Sequence, residues 1–512
     1  MSAAEPELHH PGIHAQADGT RPAIIMAESR ATLTYRQLED RSCQLARLLR
    51  AQGLSVGDHV AVLLGNEPAF IEACWAAQRA GLYLTPINYH LTAPEIGYMI
   101  ADCGTRALIT GQAIRRSSQL EQYLPEVEVR LSIADGIPGF TSYEEAIAQY
   151  PAAPLPDETE GFLMFYSSGV TGRPKGILRP LSGVPFGAGE TELSMLLQFA
   201  YGISAGSLYL SPAPLYHAAA LRWVMAAHRI GCTVVVMEHF DAESALQAIE
   251  RYRVTHAQFV PAHFIRMLKL PPEIRGRYDL SSLQAVIHAS APCPVEVKRA
   301  IMDWWGPIVH EYYSGSESNG FCAIGPDDWL SHPGSVGRAL VGKVHIADSS
   351  GNELGVGETG IIWFEGGPSF DYHNDRAQTA KAYNSRGWST LGDIGHIDKE
   401  GFLYLTDRAS HMIIRGGVNI YPREIEDILI LHPEVDDVAV VGVPDPDLGE
   451  QVMAVVQPSD IRDAGPELEG RLMNFCAERI ARYKRPASIR FVEALPRLPS
   501  GKLLKRALGN GD

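Results

Sequence analysis

The sequence is short of the features that mark several protein classes. No apolar run reaches the ~18 residues of a membrane span, so no integral membrane contact is expected. The seven cysteines (43, 74, 103, 232, 293, 322 and 476) are odd in number, scattered, and never spaced C-x-x-C. That pattern speaks against a disulfide framework or a cysteine zinc site, and for a reducing compartment. Positive charge is scarce. Only 44 Lys and Arg stand against 60 Asp and Glu, a net charge of -16, which argues against nucleic acid as the main partner. The opening M-S-A-A-E-P-E-L-H-H-P lacks a basic region followed by an apolar core. No signal peptide is therefore expected, and the cytoplasm is the expected location. Internal repeats and low-complexity tracts are also missing.

What remains is an ordinary globular composition. With 512 residues, 46% hydrophobic and 20% charged, the chain suffices for about three domains or subdomains at ~150 residues each. Residues 1 to about 30 are polar and rich in Pro and Gly, and His9-His10 reads as part of a disordered tail. Residues 33–49 carry the i, i+3, i+4 apolar spacing of a helix. Strands are expected at 59–65, 82–87, 106–110, 208–210, 233–237, 256–260 and 285–290, with helices at 68–80, 94–102, 218–228 and after a capping Asp241. This alternation predicts an α/β fold with largely parallel sheet. From about 334 the text changes to short Gly-rich strands, and beyond Arg408 a small α/β unit follows, with helices at 420–430 and near 467–482.

The stretch Phe162 to Gly176, F-L-M-F-Y-S-S-G-V-T-G-R-P-K-G, organises the rest. A short apolar strand runs into Ser167, Ser168 and Thr171, interleaved with Gly169 and Gly172, and then Lys175 and Gly176. Glycines allow positive φ and close backbone approach. Hydroxyls with backbone N–H groups line a concave anion site, and Lys175 adds a point charge. This pattern predicts a polyphosphate cradle, yet not a Walker A loop, because Pro174 precedes the Lys and Gly176 follows it, which opposes immediate helix continuation.

The string S-S-G-x-T-G-x-P-K-G resembles the phosphate loop of the adenylate-forming superfamily, and further motifs follow in that family's order. E-Y-Y-S-G-S-E (311–317) resembles Y-G-x-T-E, H-A-S-A-P (288–292) the adenine-framing segment, L-G-D (391–393) the T-G-D motif, and P-R-L-P-S-G-K-L-L-K-R (496–506) the closing motif. G-G-V-N-I-Y-P-R-E-I-E and D-R-A-S-H-M-I-I look most like bacterial fatty-acyl and steroid-side-chain CoA ligases.

The resemblance implies a large N-terminal adenylation domain (1–408) of two doubly wound α/β subdomains plus a β-rich subdomain, and a small mobile α+β domain (409–512). It implies an AMP-forming acyl-CoA ligase using ATP, Mg²⁺ and CoA on a small carboxylic acid, with an aryl-CoA ligase as an alternative. A non-catalytic acyl or nucleotide sensor is the alternative from another class; monomer and homodimer stay open. On the matching positions, Tyr313, Ser290, Ala291 and Pro292 would meet adenine. Ser316 would meet the α-phosphate, Asp393 and Arg408 the ribose, and Glu317 the Mg²⁺, since that ion favours a carboxylate with phosphate oxygens. His217 in P-L-Y-H would gate the acyl tunnel, Lys502 would be the catalytic lysine, and Ser410 would be the hinge. Gly416, Gly417 and Lys484 would face CoA. Small residues at 187, 189, 218–220 and 291 hint at room for a bulky acyl chain, or at helix packing. Two departures stand out. Val170 replaces a hydroxyl residue of the loop, and Ser410 and His411 replace the usual hinge pair. A working enzyme is still expected, with weaker ATP binding or less crisp domain alternation as the hypothesis these changes motivate.

Overall fold

The computed structural model describes residues 7–112, 114, 120–124, 126–167, 174–189, 192–408, 411–416, 418–497, 503 and 505–509. Ser168, Gly169, Thr171, Gly172, Ser410, Gly417 and Lys502 lie outside the described residues. The chain forms two compact units, one of Met1–Ser290, Ile308–His310 and Ser369–Arg376, the other of Ala291–Pro307, Glu311–Pro368 and Ala377–Asp512.

The first unit holds two parallel sheets, as the βαβ alternation requires. One runs in the order Thr141–Ser142, Val129–Ser132, Thr105–Thr110, His59–Leu63, Tyr83–Pro86, Phe162–Leu163. In the other, Pro22–Met26, Thr233–Val236, Leu208–Ser211, His256–Phe259 and Ala285–His288 pair in parallel, edged by antiparallel Thr32–Thr34. Local chemistry fixes the helix starts. The Asp241 side chain accepts from Ser244 N at 2.8 Å and opens Ala242–Tyr252, while Thr34 and Gln37 form a capping box before Tyr35–Ala51.

The amino-terminal stretch departs from expectation. His10 caps a helix at Pro11–Asp18, and Pro22–Met26 is a buried strand. His10 packs on Phe186 with ring centroids 4.6 Å apart, and His14 Nε2 lies 2.9 Å from the Arg229 carbonyl. Polar composition hid this segment because its anchors, such as the buried Arg229–Glu160 pair at 2.5 Å, come from far along the chain.

In the second unit the Gly-rich region is antiparallel, in the order Lys343–Ala347, Gly360–Glu365, Asp393–Ile397, Leu403–Arg408, Ser335–Val341, Phe321–Ile324, with residues 311–313 beyond. The last hundred residues form a separate small domain. A four-stranded antiparallel path of Val418–Ile420, Ile413–Arg415, Gly449–Pro458 and Val435–Asp445 is joined by parallel Ser488–Phe491. Its core is Ile413, Ile425, Val440, Val456, Leu468 and Leu472. The last long helix, Pro466–Ala477, ends earlier than its sequence suggested, where Arg485 Nη2 donates to the Ala477 carbonyl at 2.7 Å.

Candidate active site

In the first unit the phosphate-loop segment is a β-hairpin. Phe165–Ser167 and Lys175–Leu178 pair antiparallel, placing Ser167 opposite Lys175 and Tyr166 opposite Gly176. Directly opposed residues share a face, so the half-buried Ser167 and Lys175 flank the two ends of the loop together. The expected break in helix continuation holds: a strand, not a helix, follows Lys175. Gly176 is needed for close approach rather than for positive φ, since a Cβ there would overlap Met164 Cε and sit 3.1 Å from Tyr166 Cζ.

Groups outside every motif brace this hairpin. The Tyr166 hydroxyl donates to Asp102 at 2.6 Å, the Tyr98 hydroxyl donates to the Pro174 carbonyl at 3.3 Å, and His373 N donates to the Gly176 carbonyl at 2.8 Å. Burial pushes the Tyr166 phenol well above its ordinary value, so it remains a donor.

His217 caps Ala218–Ile230 with its backbone alone. Its ring lies 4.6 Å from that of Tyr216, which Tyr89 meets edge-on at 5.8 Å. Burial pushes the imidazole down to about 4. His217 is therefore neutral at pH 7, which suits a gate. Asn66, unnoticed in the sequence, fixes the preceding loop. Its amide donates to the carbonyls of Ala213 (3.1 Å) and Met237 (2.7 Å) and accepts from Leu215 N (2.8 Å).

Ser290 is exposed just beyond the carboxyl end of parallel strand Ala285–His288, where open α/β sheets bind ligands. It takes φ 74°, a left-handed strain for a non-glycine residue of the sort that gathers at functional positions. Ala291 and Pro292, which open the second unit, are exposed as well.

In that unit three motifs meet. The Tyr313 hydroxyl donates to Asp393 Oδ2 at 2.7 Å, and Arg408 Nε lies 3.0 Å from Asp393 Oδ1. The strands explain it, because Asp393 and Arg408 are directly opposed across an antiparallel pair. Burial, and then the Asp393 charge, raise the Tyr313 phenol well above its ordinary value. Ser314, where the family usually has Gly, uses its hydroxyl to close the loop onto the Gly320 carbonyl at 2.7 Å. Ser316 is half-buried in that loop, and Glu317 is 8% exposed, followed by Ser318 at φ 52°.

Among the described residues no group of three or more His, Cys, Asp or Glu is arranged to hold a metal ion. A single carboxylate at Glu317 instead fits an ion that arrives already ligated by phosphate oxygens.

In the small domain Gly416 is exposed at φ 55°, its N–H donating to the Leu448 carbonyl at 2.8 Å. Lys484 is bidentate on Glu424, at 2.8 and 2.6 Å. Lys505, the second lysine of the closing motif, pairs with the Glu426 carboxylate at 2.6 Å. Burial works against a charge on Asp407, but His411 and Lys505 outweigh it and hold that carboxyl below its ordinary range. Asp407 also accepts from the backbone of Arg408 (2.6 Å) and of Arg423 (3.1 Å). The residues on either side of the expected hinge are thus pinned by charge.

The small residues divide by role. A Cβ on Gly187 would press on His10 and one on Gly189 on Glu160. These contacts favour the packing reading of Gly187 and Gly189.

Two family models cover the chain: AMP-binding enzyme over residues 13–370, and AMP-binding enzyme C-terminal domain over 424–502. A long-chain-fatty-acid–CoA ligase from Mycobacterium tuberculosis is 31% identical over 491 residues, spanning 95% of this chain and 94% of that protein. A feruloyl-CoA synthase from an Amycolatopsis species is 32% identical over 498 residues, spanning 94% of each. Among solved structures, the o-succinylbenzoate CoA synthetase of Bacillus subtilis with its acyl-adenylate intermediate superposes with TM-score 0.81 at 26% identity, over 99% of both chains. The chain belongs to the AMP-binding enzyme family of the adenylate-forming superfamily, and its enzyme class is AMP-forming acid–thiol ligase.

Proposed function

We propose that this protein activates a carboxylic acid in two steps on the residues described above. A carboxylate oxygen attacks the α-phosphorus of ATP, and the bond to the β-phosphate breaks with loss of pyrophosphate. The CoA thiolate then attacks the acyl carbon, the acyl–phosphate bond breaks, and AMP leaves. The observation that carries this reading is the convergence of Tyr313, Asp393 and Arg408, from three separate motifs, on one hydrogen-bonded cluster. A carboxylate between an aromatic ring and a guanidinium suits a ribose with its base.

Ser167, Ser168, Gly169, Thr171, Gly172 and Lys175 hold the β- and γ-phosphates, and Glu317 would hold a Mg²⁺, which would supply positive charge to offset that of the phosphates. Lys502 bridges the attacking and α-phosphate oxygens, where water exclusion matters. A charge pair at 4 Å is worth ~1 kcal/mol in water and ~4 at an effective dielectric near 20. Residues 409–512 turn about Ser410 between the two steps, with Gly416, Gly417 and Lys484 facing CoA in the second. For Lys484, that role requires release from Glu424.

The acid is a medium- or long-chain fatty acid or a bulky steroid-side-chain acid; the mycobacterial long-chain-fatty-acid–CoA ligase supports the long-chain part of that reading. The feruloyl-CoA synthase match, at equal coverage, favours an aryl acid as the second reading.

CoA-dependent AMP release across fatty acids, benzoates, cinnamates and steroid acids tests both. One group should dominate, and Lys502→Ala should abolish its turnover. ATP–pyrophosphate exchange that is absent with every acid would replace the ligase reading with the sensor reading.

A further inference from the structure

The Lys175 ammonium lies 5.1 Å from the centroid of the Tyr372 ring. Tyr372 comes from Asp371–Tyr372, a two-residue strand about 200 positions later in the chain. We propose that Tyr372 is a positioning residue for the phosphate hairpin: its aromatic face holds the Lys175 ammonium where polyphosphate must meet it. The proposal rests on the reading of Lys175 as a polyphosphate ligand.

The strand register produces the contact. Lys175–Leu178 pairs on one edge with Phe165–Ser167 and on the other with Asp371–Tyr372, where Tyr372 is opposite Ile177. Side chains two apart on a strand share a face, so Tyr372 is the diagonal neighbour of Lys175, within reach of long side chains. Ser167, opposite Lys175, belongs to the same face. Hydroxyl, ammonium and ring therefore form one row across a three-stranded sheet.

The ring itself is held in place. The next residue, His373, donates its backbone N–H to the Gly176 carbonyl at 2.8 Å, and its Nε2 lies 2.9 Å from the Asp102 carbonyl. Asn374, at φ 56°, donates to that same carbonyl at 3.1 Å. Asp102 also takes the hydroxyl of Tyr166, from the opposite strand of the hairpin. The 371–374 segment is thus a strap closed through Asp102 around the base of the loop.

A lysine side chain carries large rotamer entropy and a compact, strongly hydrated charge. A fixed aromatic face lowers that freedom without neutralising the ammonium, as a carboxylate partner would. Part of the cost of ordering that side chain has then been met before ATP arrives.

The test is equilibrium ATP binding by calorimetry on the full chain, with phenylalanine and its mono-, di- and trifluorinated analogues placed at position 372. Fluorination drains the negative ring face while leaving size and packing nearly constant, so folding is preserved. Tyr372→Phe should bind ATP within about 2-fold of the parent. The Kd should then climb stepwise with fluorine, reaching about 3- to 30-fold, the span of cation–π energies converted to affinity. In a Lys175→Ala background the series should be flat. A flat series in the parent, or an equal climb without Lys175, overturns the proposal. Lys175→Ala binding ATP as well as the parent would instead remove the reading of Lys175 on which it rests.

Discussion

Asp393 receives two donors on separate oxygens, the Tyr313 hydroxyl at 2.7 Å and Arg408 Nε at 3.0 Å. A carboxylate so held is fixed in direction and charge before any nucleotide binds, which is what bidentate recognition of a ribose needs. Asp393→Asn keeps the shape and removes the charge. Hydrogen bonds to charged groups contribute ~1.5–3 kcal/mol, so kcat/KM for ATP in pyrophosphate exchange should fall by about 10- to 150-fold. An unchanged KM for ATP would detach Asp393 from the nucleotide. His217 carries the other lesson at this scale. Its motif position marked it, but its protonation state is set by burial, a property no single residue encodes.

Within the elements, the phosphate hairpin and the P-L-Y-H loop are positioned by partners remote in sequence. Asn66 makes three hydrogen bonds to residues about 150 to 170 positions away. A buried Asn left out of such a set strands two carbonyls and an N–H. Asn66→Ala should lower the melting temperature by several degrees and raise KM for the acid more than KM for ATP, because the loop it pins leads to His217. Equal changes in both would show that Asn66 supports the fold and not the gating proposed for His217. The elements themselves were legible where pattern was strong: alternating strands and helices and the Asp241 cap; the apolar run before Ser168 is two short strands, Phe162–Leu163 and Phe165–Ser167, instead of one. The helix Pro11–Asp18 was not, since its stability comes from tertiary packing on Phe186 and Arg229 rather than from its own propensity.

For the whole molecule, buried imidazoles set the pH response. Burial pushes His10, His59, His217 and His228 down to about 4 and His263 to about 3. The unfolded chain takes up protons on these groups near their ordinary 6.5, while the folded chain refuses them, so stability is full above pH 7 and is lost as pH falls through that value. Asp427 acts oppositely. Burial pushes it up to about 6, so the folded form gains a proton first and is favoured as pH falls below that point. Burial also raises Glu28, Asp40, Glu67, Glu158, Glu160 and Glu426, and lowers His14, His256 and His432. Imidazoles ordinarily titrate inside the window from about pH 7.5 to 5.5 and carboxyls below it, so the imidazoles prevail there and a net loss is expected. Thermal scans at the two values check this, and an equal or higher midpoint at 5.5 would refute it.

The sequence by itself determined the α/β class and the family, because strand and helix periods and contiguous motifs are local properties of the chain. Only the tertiary structure decided that Tyr313, Asp393 and Arg408 share one cluster, that Gly187 and Gly189 pack against His10 and Glu160, that Asp102 and Asn66 brace the phosphate hairpin and the P-L-Y-H loop, and that Tyr372 lies against Lys175. Those facts depend on strand register and on burial against distant elements, which a linear pattern does not contain.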